Sequence, residues 1–280
     1  MSTIETTSGD RQVKSKHRAM WASGDYAAVA AQLIPGLGPA LVAACGVRAG
    51  TRVLDVAAGT GNAAIPAAVT GADVVASDLT PELLDQGRRA AAAAGAQLTW
   101  READAENLPF ATGEFDVVMS CVGAMFAPHH QQTADEMLRV CRPGGTIGMI
   151  NWTPSGLIGQ LFATMRPFSP PPPPGAQPPP LWGSAEHVAE LFGDDVTDLD
   201  TRTATVVFDH CTDPLEFREY WKRNYGPTIA VYRANAADAA RTAELDAAFL
   251  AFLTDANAAD AGQPARYEAE YLLVTARRAG

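Results

Sequence analysis

Short apolar runs alternate with segments of helical pattern through the first half of the chain. The run 53–56 is apolar apart from one acid, which is typical of a central parallel strand. Because strands separated by helical segments favour parallel pairing, the alternation predicts an α/β fold. The strands predicted in this half are 53–56, 73–78, 97–103, 115–120 and 146–151.

Helix signals fall between these strands. The triplet Thr-Pro-Glu at 80–82 has the order of an N-cap, a first-turn proline and a first-turn acid, and Gly95 ends that helix. Pro66 is compatible with a helix from about residue 62 only if it lies in the first turn. Further helices are predicted over 17–31 (broken at 23–25), 37–44 and 136–141, after a loose tail that extends to about residue 15.

A proline-rich stretch separates the two halves of the chain. Prolines at 170–174 and 178–180 predict an extended backbone and exclude helix or central strand. Because Leu-Trp-Gly follows at 181–183, we interpret the stretch as a stiff border of a pocket rather than as a free ligand for an SH3 domain. The later predictions are a helix over 184–192, a strand over 201–209, helices from 213, over 227–233 and over 241–253, and a last strand over 266–277.

A glycine turn follows the strand 53–56. Gly59 and Gly61 permit positive φ, and a helix N-terminus facing them favours an anion. Ala64 stands where a dinucleotide fingerprint has its third glycine, and no Lys or Ser/Thr pair follows Gly61, so a carboxylate is favoured over a phosphate. Asp78, at the end of the next strand, suits the hydroxyls of a ribose, in NAD and in S-adenosyl nucleosides alike.

The run Asp55-Val-Ala-Ala-Gly59-Thr-Gly61 resembles motif I of the class I S-adenosylmethionine (SAM)-dependent methyltransferases. The likeness is greatest to the ubiquinone/menaquinone C-methyltransferase-like branch (methyltransferase type 11), which acts on small molecules. The stretch from Leu138 to Thr146, with its Arg-Pro-Gly-Gly, resembles the family's helix-to-strand junction. The resemblance implies a Rossmann-like, doubly wound, seven-stranded sheet, mostly parallel, with an antiparallel last strand beside the fifth and an N-terminal helical cap.

The resemblance also implies an organisation and a cofactor. We expect a single domain over 1–280, with a helical cap at 1–48, a SAM-binding core at 49–152, a proline-rich substrate-side insertion at 153–200, and the sixth strand, helical insertion and final strand at 201–280. SAM would be the cofactor and S-adenosylhomocysteine (SAH) its product. The implied cofactor-binding residues are Asp55, Ala57, Gly59, Thr60, Gly61, Asn62, Asp78, Leu79, Asp104, Ala105 and Cys121.

Methyl transfer from a sulfonium needs mainly proximity and alignment, so a strong catalytic constellation is not required. Where a base would help, His129 and His130 are the candidates, although two histidines after a loop proline also suit a solvated helix start. The apolar and aromatic half after residue 151 predicts an apolar or aromatic small-molecule acceptor, methylated at C, O or N. Pocket candidates, for which core packing is the alternative, are Trp21, Phe126, Trp152 and Tyr225.

The composition of the chain limits the classes of molecule that it is expected to bind. The net charge of −11 argues against nucleic acid, whose phosphates need Lys and Arg, and Ser-Cys-Val-Gly at 120–123 replaces the motif common in nucleic-acid methyltransferases. The four cysteines form no CxxC pair, and no metal-ligand spacing is seen, so neither disulfides nor a metal are expected. No signal peptide or membrane span is evident, and we predict a cytoplasmic protein, with a homodimer as one option.

Two other functions are compatible with these residues. An NAD(P)-dependent oxidoreductase would share the strand, the glycine turn and Asp78. A SAM-binding protein without catalysis would share the entire cofactor half. Binding of NAD instead of SAM would favour the first, and SAM binding without methyl transfer would favour the second.

Overall fold

The computed structural model describes residues 8–280, and within them seven strands form one sheet. The strands are β1 (Arg52–Val56), β2 (Asp73–Asp78), β3 (Thr99–Glu102), β4 (Phe115–Cys121), β5 (Cys141–Trp152), β6 (Val196–Phe208) and β7 (Tyr267–Arg278). Their order is β3-β2-β1-β4-β5-β7-β6. The first five are parallel, and β7 pairs antiparallel with both β5 and β6. The predicted doubly wound sheet with an antiparallel last strand is confirmed.

The helices cover both faces and one end of this sheet. Three precede the first strand: α1 (Ser8–Trp21), α2 (Tyr26–Leu33) and α3 (Leu37–Ala44). Four alternate with the strands or follow β5: α4 (Ala64–Val69), α5 (Pro81–Ala93), α6 (His130–Val140) and α7 (Leu157–Met165). The remaining helices are α8 (Ala185–Phe192), α9 (Pro214–Asn224), α10 (Gly226–Asn235) and α11 (Ala239–Asp255).

The central strands explain where a ligand can bind. β1 lies between β2 and β4, and the residues Val53, Leu54 and Val56 are fully buried against both faces. The chain crosses to opposite sides of the sheet from β1 and from β4, so the loops after these strands diverge and leave a crevice at their carboxyl ends. The glycine turn after β1 therefore opens directly into this crevice.

The structure corrects several predicted boundaries. The segment taken as a tail to residue 15 is helical from Ser8, while the part before residue 8 lies outside the described residues. α6 begins at His130 instead of 136, and β5 begins at Cys141, with the glycine pair forming an irregular stretch of its pairing with β4. β3 is shorter and β6 longer than predicted. Pro179–Gly183 is a short 3-10 helix, which a proline in its first turn permits.

The cap helices are fixed to the sheet by close backbone approaches. A Cβ at Gly38 in α3 would lie 1.7 Å from the carbonyl oxygen of Asn62, so only glycine lets α3 touch the turn after β1. A Cβ at Gly226 would lie 2.4 Å from the carbonyl oxygen of Met20, which brings α10 against the end of α1. The cap is thereby positioned directly above the glycine turn.

Among the described residues, no single helix is long and apolar enough to cross a membrane; α2 and α3 reach the necessary length and composition only together, across a bend of 71°.

Candidate functional site

A cavity of about 640 Å³, partly open to solvent, lies at the carboxyl ends of the parallel strands. Its floor comes from the loops after β1, β2, β3 and β4, and its roof comes from α1 and the start of α2. A concave site with mostly apolar walls and a few polar groups at the carboxyl ends of parallel strands is typical of a small-molecule site. Its lining comprises Lys14, His17, Trp21, Tyr26, Ala57, Gly59, Asp78, Leu79, Thr80, Leu83, Ala103, Asp104, Ala105, Val122, Gly123, Ala124, Phe126, Ala127 and Pro128.

Asp78 presents a buried carboxylate to this cavity. Its Oδ2 accepts a hydrogen bond from the Gly59 N–H and its Oδ1 accepts one from the Thr80 N–H, each at 2.8 Å. Burial raises the pKa of Asp78, and these two backbone donors oppose the shift. Each carboxylate oxygen has a second lone pair, so Asp78 can still accept from the hydroxyls of a ligand.

Asp55 lies behind the cavity wall and is fully buried. Neither of its carboxylate oxygens has a hydrogen-bond partner of normal geometry among the described residues. Burial raises its pKa to about 8, with the nearby Ala64 N–H opposing the shift and the charge of Asp78 adding to it. Because an unpaired buried acid is costly, this position favours a ligand that carries positive charge.

Backbone strain is concentrated at the cavity floor. Ala57 and Val122 line the cavity with φ of 53° and 47°, in the left-handed region that residues other than glycine rarely adopt. A Cβ at Gly123 would lie 2.1 Å from the carbonyl oxygen of Ala57, so these two loops are in contact. Strain of this kind accumulates at ligand sites. The sequence pattern did not predict these two positive φ values.

The predicted cofactor residues divide into two groups. Ala57, Gly59, Asp78, Leu79, Asp104 and Ala105 line the cavity. The others support it from behind: Asn62 donates from Nδ2 to the Cys121 sulfur at 3.6 Å, and a Cβ at Gly61 would lie 2.7 Å from the Trp100 ring. Position 61 therefore requires glycine, because its φ is 86° and because a side chain there would clash with the Trp100 ring. Those lying outside the lining are Asp55, Thr60, Gly61, Asn62 and Cys121.

Lys14 and Glu106 form a charged cluster that the sequence did not reveal. The Lys14 ammonium contacts Asp104 Oδ1 at 2.9 Å and also binds Glu106. Glu106 further accepts from the backbone N–H of His129 at 2.7 Å. Burial alone would raise the pKa of Glu106, but the hydrogen bonds from Lys14 and His129 outweigh it and lower the pKa. Lys14 falls in the segment predicted to be a loose tail, so no local pattern indicated it.

A second cavity of about 320 Å³ adjoins the first and is almost entirely apolar. The two cavities share Trp21, Tyr26, Val122 and Phe126 as lining residues. Trp21 packs edge-on against three rings, with centroid separations of 4.8 Å to Phe126, 5.5 Å to Tyr26 and 5.8 Å to Tyr225. The lining residues specific to the second cavity are Val29, Leu33, Ile34, Trp152, Phe208, Trp221 and Tyr225.

The chain has close relatives and a recognised domain. Residues 53–145 match the family model described as a methyltransferase domain. An uncharacterized protein of Mycobacterium tuberculosis, Rv1403c, is 50% identical over 277 residues, which is 99% of each chain. The demethylmenaquinone methyltransferase of Clavibacter sepedonicus is 41% identical over 99 residues, 35% of this chain and 40% of that one.

Solved structures share the fold. The YcgJ protein of Bacillus subtilis aligns with a TM-score of 0.58 at 16% identity, over 87% of this chain and 98% of its own. A second solved structure is the phosphoethanolamine N-methyltransferase 2 of Haemonchus contortus, in complex with phosphomonomethylethanolamine and SAH. It aligns with a TM-score of 0.53 at 17% identity, over 87% of this chain and 52% of its own. The chain belongs to the class I SAM-dependent methyltransferases. The predicted family is confirmed, and the oxidoreductase alternative loses its basis in the fold.

The structure separates the two histidines that were candidate bases in this methyltransferase. His129 lies just beyond the cavity rim, where its Nδ1 is 3.2 Å from Glu106 Oε2. His130 is fully buried under α8, with Nδ1 2.9 Å from His187 Nε2 and its ring 5.4 Å from Trp182. Neither ring lines either cavity. His130 is thus placed to hold α6 against α8.

No group of three or more His, Cys, Asp or Glu side chains with the arrangement of a metal site occurs within residues 8–280.

The His130–His187 contact predicts a loss of stability in mild acid. Burial lowers the pKa of His130 to about 4, with the charge of His187 adding to the shift. Since the folded-state pKa lies below the usual 6.5, the unfolded chain takes up protons first as the pH falls from 6.5 towards 4. Between pH 7 and pH 5 this group should cost about 2 kcal/mol of unfolding free energy.

Urea unfolding at the two pH values measures this effect. Between pH 7 and pH 5, the unfolding free energy of a His130→Phe variant should fall by about 2 kcal/mol less than that of the wild-type methyltransferase. The exposed His210 provides the control, because His210→Gln should retain the wild-type pH dependence. Equal acid sensitivity of wild type and His130→Phe would contradict the assignment.

Proposed function

We propose that this methyltransferase binds SAM in the first cavity and transfers its methyl group to an uncharged, apolar aromatic small molecule in the second cavity. The observation that carries the proposal is the shared wall of Trp21, Tyr26, Val122 and Phe126. On one side of this wall lie carboxylates, and on the other lie mainly aromatic rings. A polar, cationic cofactor and an apolar acceptor would therefore lie next to each other at these shared residues, and transfer requires direct contact there between the sulfonium methyl and the acceptor atom.

The acids of the first cavity suit the groups of SAM. Asp78 retains lone pairs for the two ribose hydroxyls. Asp104 and the neighbouring Ala105 N–H are the groups that the family resemblance assigns to the adenine ring, and both residues line the cavity. Asp55, behind the cavity wall, has a raised pKa, and a cation held beside it would lower that pKa and favour the charged carboxylate. The dinucleotide alternative lacks a comparable match, because no basic residue of the glycine turn is available for a pyrophosphate.

Bound SAM supplies a methyl group on a sulfonium, an activated electrophile. The chain has to hold the acceptor in line with it and to keep water away, and buried aromatic walls do both. Tyr26 and Tyr225 face the second cavity, and burial raises the pKa of each hydroxyl, so both stay protonated and act as hydrogen-bond donors and not as bases. Positioning alone can contribute on the order of 7–11 kcal/mol in favourable cases.

The lining of the second cavity supports an uncharged aromatic acceptor. Its rings favour edge-to-face contacts with a further aromatic ring, and the polar side-chain groups among its described lining residues are phenolic hydroxyls and indole N–H groups. No charged side chain lines it within the part of the chain that the structure describes. We therefore expect phenols, quinols or indoles to bind in preference to charged amines, and we expect the reaction to take place in the cytoplasm.

Loss of the Asp78 carboxylate should weaken cofactor binding. Asp78→Ala removes the ribose acceptors and frees the Gly59 N–H, so the Kd for SAM should rise at least tenfold, equivalent to about 1.4 kcal/mol. Calorimetry with SAM and with NAD measures this. Asp73→Ala, at the exposed start of the same strand, should bind SAM like the wild type. Unchanged SAM affinity in Asp78→Ala, or tight binding of NAD by the wild type, would contradict the proposed cofactor site.

Filling the second cavity should impair acceptor binding alone. Val29 lines that cavity and not the first, so Val29→Phe should raise the KM for a methylated acceptor at least tenfold and leave the KM for SAM within twofold. The acceptor would be taken from a panel of phenols, quinols, indoles and amines assayed with SAM. Val69→Phe is the control, because Val69 is 65% exposed on α4. SAM binding without transfer to any panel member would favour a non-catalytic SAM-binding protein.

A further inference from the structure

We infer that Lys14 is a positioning residue that couples the closure of α1 over the cofactor cavity to the orientation of Asp104. This inference rests on the proposed function, because it takes the first cavity as the SAM site. Lys14, His17 and Trp21 recur at intervals of three and four residues, so they share one face of α1, and all three line the cavity. The helix is therefore a roof over the site.

Lys14 is buried, which is unusual for a lysine. Lys14 is 9% exposed, and Glu106 beneath it is 4% exposed. Its ammonium binds both Glu106 and Asp104. Breaking one side of a buried ion pair is strongly destabilising because it leaves the partner charge unpaired. Lys14 is thus the point at which α1 is held to the loop after β3.

The attachment of α1 through Lys14 also fixes the orientation of the Asp104 carboxylate. Its Oδ1 accepts from the Lys14 ammonium at 2.9 Å and from the Glu106 N–H at 3.0 Å. Its Oδ2 has no partner among the residues that the structure describes, while Asp104 itself lines the cavity. Two donors on one oxygen fix the carboxylate and leave the other oxygen for a ligand donor. The 6-amino group of adenine is such a donor, whereas a 6-oxo purine carries an acceptor oxygen at the same position.

A second set of ion pairs holds the same helix on its outer side. Arg18 contacts Glu102 Oε1 at 2.8 Å and Glu82 Oε2 at 3.9 Å, but all three side chains are well exposed. Exposed pairs contribute little and are screened by salt. The buried Lys14 cluster should therefore dominate the attachment of the roof. Because Lys14 and His17 form part of the roof, movement of α1 and breakage of these ion pairs would widen the way out for the cofactor.

Release of bound SAH tests the coupling directly. Dissociation of radiolabelled SAH, followed by rapid filtration after an unlabelled chase, should be at least tenfold faster in Lys14→Met than in wild type. Raising the salt from about 0.05 to 0.5 M screens the exposed Arg18 pairs much more than the buried Lys14 cluster, so release from wild type should change by less than about threefold. Lys14→Arg should retain slow release. Lys16→Met, an exposed lysine of the same helix, should match the wild type.

Discrimination between purines separates positioning from a purely structural role. Wild type should bind SAH at least tenfold more tightly than S-inosylhomocysteine, which lacks the adenine amino group, and Lys14→Met should lose most of that preference. Release and discrimination that are unchanged in a folded Lys14→Met, or wild-type release that high salt speeds as much as the Lys14→Met substitution does, would overturn the inference while leaving the proposed function intact. If wild type binds no SAH at all, the proposed function fails, and the inference with it.

Discussion

Two carboxylates removed from water at the ends of adjacent parallel strands are the constraint on which this structure depends. Asp55 and Asp78 are both buried, and the charge of Asp78 adds to the raised pKa of Asp55. Asp78 is stabilised by two backbone N–H groups, one of them from the glycine turn. Neither oxygen of Asp55 has a hydrogen-bond partner of normal geometry in the described chain, although the nearby Ala64 N–H opposes the rise of its pKa. A fold that keeps an unpaired acid beside a cavity is suited to a ligand that brings positive charge.

The rest of the molecule places the helical cap and the two cavities around these carboxylates. Close backbone contacts at Gly38 and Gly226 place the cap over the strand ends. The cap brings Trp21 and Tyr26 to the boundary between an acidic cavity and an aromatic one. The same helix that carries Trp21 is held by Lys14 to the loop after β3. Cofactor access, acceptor access and the exclusion of water thus all depend on where α1 lies.

Much of the fold could be predicted from the sequence because its signals are local. The apolar strand 53–56, the glycines after it and the Thr80–Glu82 helix start each depend on neighbouring residues, and their order carried the family resemblance. The seven-stranded sheet followed from that resemblance. Boundaries were less accurate where proline and glycine permitted several conformations, as in the 3-10 helix Pro179–Gly183 and the irregular start of β5.

The features that were missed depend on long-range contacts. Lys14 lies 90 residues from Asp104 in the chain, and a polar helix start resembles a tail when its partners are unknown. His130 suited a catalytic base by its place in the sequence, but its contact with His187, 57 residues away, puts it in the interior. The division of the site into two cavities likewise needs aromatic residues from α1, α2, β5 and α9 together.

Calorimetric titration of the full chain with SAM at pH 7, repeated in buffers of different ionisation enthalpy, tests the central claim most directly. Asp55, with a pKa of about 8, is mostly protonated before binding, and a cation held beside it should lower that pKa. The account predicts binding with a net release of protons, and an Asp55→Asn variant that binds without this release. Absence of SAM binding, or binding with no release of protons, would contradict it.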